Sequence, residues 1–213
     1  MEGDTNRAEP EGSILPVFVV ADVPSSVLDQ LLQDDAIFQK RESLRLHILG
    51  AESAAELERV DQYTENGKER SRPPMVAGHA AGSPFLGWDL TRINEWFVTN
   101  IRAKGAYIWT GSMFLVVDKY SEATGTVGVV EADADLVPPK GPGAEVEMRR
   151  RREQARLKNP EYEGDEDNEP ENIRCTFAVA RQIATIVELG VQPLYENRDP
   201  NVVWSESEIP LQL

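Results

Sequence analysis

The sequence predicts an α/β or α+β domain: one mixed sheet of about five strands carrying three to four helices, with a long disordered charged insertion. Three observations predict it. Short apolar, β-branched runs alternate with helical periodicities in the first half of the chain. Strand-like runs then follow one another without helices between them, which is the pattern of strands sharing a mixed sheet. Finally, residues 133–171 nearly lack apolar side chains, although the segments on both sides are rich in them.

The first strand is Leu15 to Ala21 (LPVFVVA), apolar on both faces and therefore suited to a central position. Ser26 with Asp29 three residues later marks a helix start, and Val27, Leu28, Leu31 and Leu32 follow at helical spacing to about Phe38. Leu44, Leu46 and Ile48 alternate with Arg45, His47 and Leu49, a period of two with one wetter face. Ser53 and Glu56 repeat the capping pattern before Leu57, Val60 and Tyr63, a short second helix. The first β-α-β suits a right-handed parallel unit.

Glu65 to Gly87 contains a tandem Pro73-Pro74, a third proline at Pro84 and four glycines, and reads as a long loop. Loops of that length in compact domains tend to be functional or disordered. Asp89 then caps a helix whose Leu90, Ile93, Trp96, Phe97 and Ile101 share one face, with Gly105 at the C′ position. Ala106–Thr110, Met113–Asp118 and Thr126–Glu131 are strand-like. The last two make an antiparallel hairpin across a polar loop, Lys119–Gly125; alternatively, the first two form one long strand bent at Gly111.

From Ala132 the pattern breaks. Pro138, Pro139, Gly141, Pro142 and Gly143 are followed by a basic run, Arg149–Lys158, and then by Glu161–Glu171, which has seven acids and no base. Such a segment buries too little apolar surface to offset its ordering entropy, so disorder is expected, with a helix around Glu145–Lys158 the one regular piece. Asn172 reads as the N-cap of a last helix on which Ile173, Phe177, Ala180, Ala184 and Val187 share a face. The organisation expected is a disordered tail at 1–13, one domain at 14–195 with the insertion at 133–171, and a loosely packed tail at 196–213.

Composition narrows the function classes. A net charge of −15, from 37 acids against 22 bases, repels nucleic-acid phosphates and anionic membranes and favours cationic partners. The single cysteine excludes an internal disulfide and a cysteine-based zinc site. The acidic, polar start lacks the basic and apolar regions of a signal peptide, and the longest apolar run, Met113–Val117, is too short to span a bilayer. A soluble, cytoplasmic protein is expected, with the nucleus as the other compartment.

The candidate catalytic residues are Asp22, Asp118 and His79. Asp22 and Asp118 each close an apolar run, VVAD and LVVD. If those strands are parallel neighbours, both carboxylates lie at one sheet edge, where α/β proteins place ligand sites. There they could divide acid and base roles or hold Mg²⁺. The plainer reading, which weighs more, is an Asp that starts a turn or caps the following helix. No P-loop or dinucleotide glycine motif follows either one. His79 lies in VAGHAAGSPFLG and suits a general base on a loop over a pocket, against the plainer reading of an ordinary loop histidine. With one other histidine, His47, and no HxH or HExxH spacing, no metal site is expected.

Cys175 would sit in the first turn of the last helix, where the dipole lowers a thiol's pKa, but it lacks a histidine partner and reads better as core. The run Arg149–Arg152 resembles a phosphate-binding patch and reads better as a solvated helix face. Trp88, Trp96, Phe97, Tyr107 and Trp109 could line an apolar pocket, yet their spacing is that of core positions.

No cofactor is expected. The leading reading of function is a non-catalytic binding or accessory module that meets a protein partner through the charged insertion or a tail. The alternative is a cofactor-independent enzyme taking a small organic ligand as substrate in an aromatic-lined pocket. Nucleic acid and membrane are not expected partners.

Overall fold

In the computed structural model the described residues are 13–37, 44–59, 71–104, 109–139, 141–144, 146–147, 149–150, 153, 170, 172–188 and 203–205. They form one mixed sheet of six strands and five helices, an α/β fold.

The apolar run of the first strand becomes β1 (Ser13–Val19), and α1 (Ser25–Ile37) follows it. Then come β2 (Leu44–Ile48), α2 (Ala51–Arg59), α3 (Leu90–Asn100) and a 3₁₀ turn at Arg102–Lys104. β3 (Met113–Val117), α4 (Lys119–Thr124), β4 (Thr126–Glu131), β5 (Asn172–Thr176), α5 (Phe177–Glu188) and β6 (Val203–Trp204) complete the order. Across the sheet the strands run β2-β1-β3-β4-β5-β6. Only β4 is antiparallel to its neighbours.

The central strands β1 and β3 are apolar on both faces because helices cover both. Leu15, Val17 and Val19 of β1 face α1 and α5, through Leu28, Leu31, Val179 and Ala180. Ile14 and Phe18 face α2 and α3, through Leu57, Ile93, Trp96 and Phe97. Asp89 caps α3, accepting a hydrogen bond from the Arg92 amide at 2.8 Å, as its position predicts. Trp96 Nε1 donates to Glu58 at 2.7 Å and Lys104 Nζ donates to the Leu57 carbonyl, tying α2 to α3 and its 3₁₀ extension.

Two stretches differ from the sequence expectation. Lys119–Gly125 is not a polar hairpin loop: residues 119–124 make α4, closed by Gly125 in the left-handed region at φ 63°. Asn172–Thr176 is not the first turn of a helix. Its residues pair with β4, Val127 opposite Cys175 and Val129 opposite Ile173, and α5 begins at Phe177. Ile173 and Cys175 fit either a helical or an alternating pattern, and the unpaired edge of β4 decided for the strand. In the C-terminal stretch, Val203 and Trp204 pair with Arg174 and Cys175 as β6, and Trp204 packs on the α1–α5 core.

β4 ends at the sheet edge where β1 and β3 begin, and β5 starts there, so the charged insertion leaves from the amino-terminal edge of the parallel strands. Its root is fixed. Asn94 and the Asp133 backbone exchange two hydrogen bonds of 2.7 and 2.9 Å, and Arg102 Nη1 reaches the Ala132 carbonyl at 2.9 Å. At the return, Pro170 is buried and its carbonyl accepts from Asn172 Nδ2. The tail at 1–12, the segment 60–70, the expected C′ position at 105, the start of the third expected strand at 106–108, most of 140–171 and most of the C-terminal tail at 196–213 lie outside the described residues.

Candidate functional site

β1 lies between two parallel partners: β2, reached through α1 on one face, and β3, reached through α2 and α3 on the other. That is a topological switch point, the place where open α/β sheets take ligands beyond the carboxyl ends of their strands. Val19 pairs with Val117, so Asp22 and Asp118 follow the ends of parallel neighbours, the arrangement on which their pairing depended. His79 belongs to the same edge, because its ring lies 3.5 Å from where a Cβ on Gly50 would stand, just beyond β2. All three candidates are therefore at the carboxyl edge. The ends of β2 and β3 are two strand spacings apart, about 10 Å.

Asp118 is committed to structure. One carboxylate oxygen accepts from the amides of Tyr120 at 2.9 Å and Ser121 at 3.2 Å, and Ser121 Oγ accepts from the Asp118 amide at 3.1 Å, a reciprocal cap on α4. The other oxygen binds Arg174 Nη2 across β4, and Arg174 Nη1 donates to Thr126 Oγ1 at 3.0 Å. Tyr120, largely exposed, lies with its ring 5.6 Å from the guanidinium carbon. Asp22, by contrast, is exposed.

Between them runs the chain's own residues 71–88, a strap over the carboxyl edge. At its root Ser71 bonds to β2 twice, its amide to the Leu46 carbonyl at 3.2 Å and its Oγ to the Ile48 amide at 2.8 Å. The Met75 amide donates to Asp29 of α1 at 2.6 Å. Ala80 packs into the α1–α5 core and Phe85 into the α2–α3 core. Ser83, 7% exposed, donates from Oγ to the Val19 carbonyl at 2.7 Å, and the Gly87 amide donates to the Val20 carbonyl at 2.9 Å. Gly78 and Gly87 adopt φ of 78° and 73°, values that a side chain would resist, at the two bends of this path. The strap thus bonds to the end of β1, the strand between His79 and Asp118.

His79 and His47 are neighbours. His47, expected on a wetter strand face, is half-buried with its ring edge-on to Trp109 at a 5.6 Å centroid distance. Burial, and then the charge of His79, push the His47 imidazole down to about 4. Among the described residues, His47 Nδ1, His79 Nε2 and Trp109 Nε1 are all buried without a hydrogen-bond partner. Nothing in the sequence spacing of 47, 79 and 109 joins these residues; the loop and strand order does.

Cys175 faces the α1–α5 core from β5, not a helix dipole, and burial pushes its thiol up. The aromatics Phe18, Phe85, Trp88, Trp96, Phe97 and Phe114 stack on one another, mostly edge to face, at 4.8–5.7 Å, and so fill the space between α3 and the sheet. Arg174, absent from the sequence candidates, is the residue that binds Asp118; the D-x-x-S pattern of Asp118 and Ser121 was the readable sign of the cap.

Among the described residues no three His, Cys, Asp or Glu side chains are placed to hold a metal ion, and no helix is long and apolar enough to cross a membrane. Comparisons with protein-family models, with curated proteins and with solved structures find no match to this chain.

Proposed function

We propose that this protein is a non-catalytic binding module, whose partner is a cationic protein surface met by the charged insertion at 133–171. The observation that carries this reading is the filled switch point. The edge where an α/β enzyme would take its substrate is crossed by the chain's own strap, through buried Ser83 and Phe85. Of the acids there, Asp118 spends both oxygens on a helix cap and an arginine.

At the opposite edge the insertion departs from a root pinned by Asn94 and Arg102. Its final stretch, Glu161–Glu171, concentrates seven acids on a chain already at −15. Such a run steers a basic partner, with an attraction that salt weakens. The sheet and its two helical layers then serve as the scaffold that presents it.

The test removes residues 140–169 and joins the ends with a short Gly/Ser linker. The trimmed chain should keep its melting temperature within a few degrees. Proteins captured by the full chain at low salt should be lost both on trimming and at high salt. A partner retained by the trimmed chain rejects the reading. So does turnover of a small molecule that is abolished by Asp22→Ala or His79→Ala in an otherwise intact fold.

A further inference from the structure

We propose that residues 71–88 are an acid-released strap: charging the half-buried His47 beside His79 frees this segment from β2 and uncovers the carboxyl end of β1.

The geometry places His47 where a proton is poorly accommodated: burial and the neighbouring His79 charge both oppose it. His47 projects from β2 between Leu46 and Ile48, the two residues to which Ser71 at the strap's root is bonded. His79, eight residues further along the strap, packs against Gly50 just past the same strand. A nitrogen on each ring is buried with no hydrogen-bond partner among the described residues. A proton on His47 creates a donor and a charge with nothing to receive them, and the charge of His79 adds repulsion. On the other side of His47 stands the edge of Trp109, 7% exposed, whose own Nε1 has no hydrogen-bond partner among the described residues.

Of the titratable groups in the surrounding elements, His79 is the one whose charge acts on His47. Arg45 lies on the His47 side of β2. Glu52 and Glu56 are on α2 beyond Gly50; Asp22 follows β1; Asp29 on α1 is occupied by the Met75 amide.

Releasing the strap relieves His47, because the strap's root at Ser71 and its His79 are the parts of the segment adjoining β2. The released form therefore takes up protons that the closed form resists, and acid favours opening by linkage. What opening uncovers is defined: the carbonyls of Val19 and Val20, now bonded to Ser83 Oγ and the Gly87 amide. Carbonyls at such an edge are hydrogen-bond acceptors suited to a ligand with amide, hydroxyl or ammonium donors.

The test is amide hydrogen exchange on the full chain at pH 7.5 and pH 5.0, corrected for the intrinsic pH dependence of exchange. With His47 moving between about 4 in the closed form and 6.5 when freed, opening at pH 5.0 is favoured by up to about thirtyfold. Exchange at the Ser71, Gly82, Ser83 and Gly87 amides should rise accordingly, while the Thr110 and Ile101 amides keep their protection. In His47→Gln and His79→Gln chains, both checked for an unchanged far-ultraviolet spectrum, the strap amides should respond much less to pH. If strap and core amides lose protection together, acid acts on the whole fold and the proposal fails. It fails equally if both variants keep the full response of the parent chain.

Discussion

Asp118 and Arg174, 56 residues apart, join α4 to β5: one carboxylate oxygen caps the helix and the other holds the guanidinium that reaches across β4. Both side chains are about a quarter exposed, so the pair is only partly shielded from solvent. Removing the acid deletes a cap, worth about 1 kcal/mol, and leaves the arginine with Thr126 alone. Asp118→Ala should cost about 2 kcal/mol in urea unfolding and Arg174→Met about 1 kcal/mol or less. Equal costs would mean that the ion pair, and not the cap, is the stabilising element.

Phe85 is the strap's deepest anchor, 1% exposed and edge-on to Phe18 at 4.8 Å and to Trp96 at 5.1 Å. Phe85→Ala should destabilise the chain by about 3–5 kcal/mol, the cost of a buried aromatic cavity. Ser83→Ala removes the hydroxyl bonded to the Val19 carbonyl and should cost about 1–2 kcal/mol. Denaturant midpoints read both effects. A strap that merely rests on the surface would give values near zero for each.

Stability should depend on pH through His47. The folded chain keeps this imidazole neutral down to about 4, whereas the unfolded chain takes up its proton near 6.5. Between those values the unfolded state binds more protons, so the contribution is fully present above pH 6.5 and is lost as pH falls towards 4. The loss amounts to about 3 kcal/mol at the lower end. Urea titrations at steps from pH 7.5 to 4.5 should show the slope in the parent chain and a shallower one in His47→Gln. An identical slope in the two would assign the acid sensitivity to the carboxylates.

Cys175 should be unreactive while the chain is folded. It is fully buried in the α1–α5 core, and burial also disfavours the thiolate that attacks disulfide reagents. A colourimetric disulfide reagent at pH 8 should label it slowly, at the rate of unfolding, and at once in denaturant. Rapid labelling of the native chain would contradict the packing of β5.

The sequence by itself determined what depends on local pattern. The double-sided apolar run of β1, the Asp89 cap and the face of Ile93, Trp96 and Phe97 were legible, because strand and helix periods and caps are written within a few residues. The mixed sheet followed from the order of those elements. Asp22 and Asp118 could be placed at one edge only on the condition that their strands were parallel neighbours.

Tertiary structure decided the rest. Ile173–Thr176 became a strand because β4 offered an open ladder, an influence from 46 residues away that no local period records. Arg174 found Asp118 for the same reason. The loop at 71–88 became a strap because Phe85 and Ala80 reach two different cores, and this brought His79 beside His47. Contacts between distant segments follow from how strands pair and how loops cross a sheet edge, and those choices minimise the free energy of the whole chain, not of any window within it.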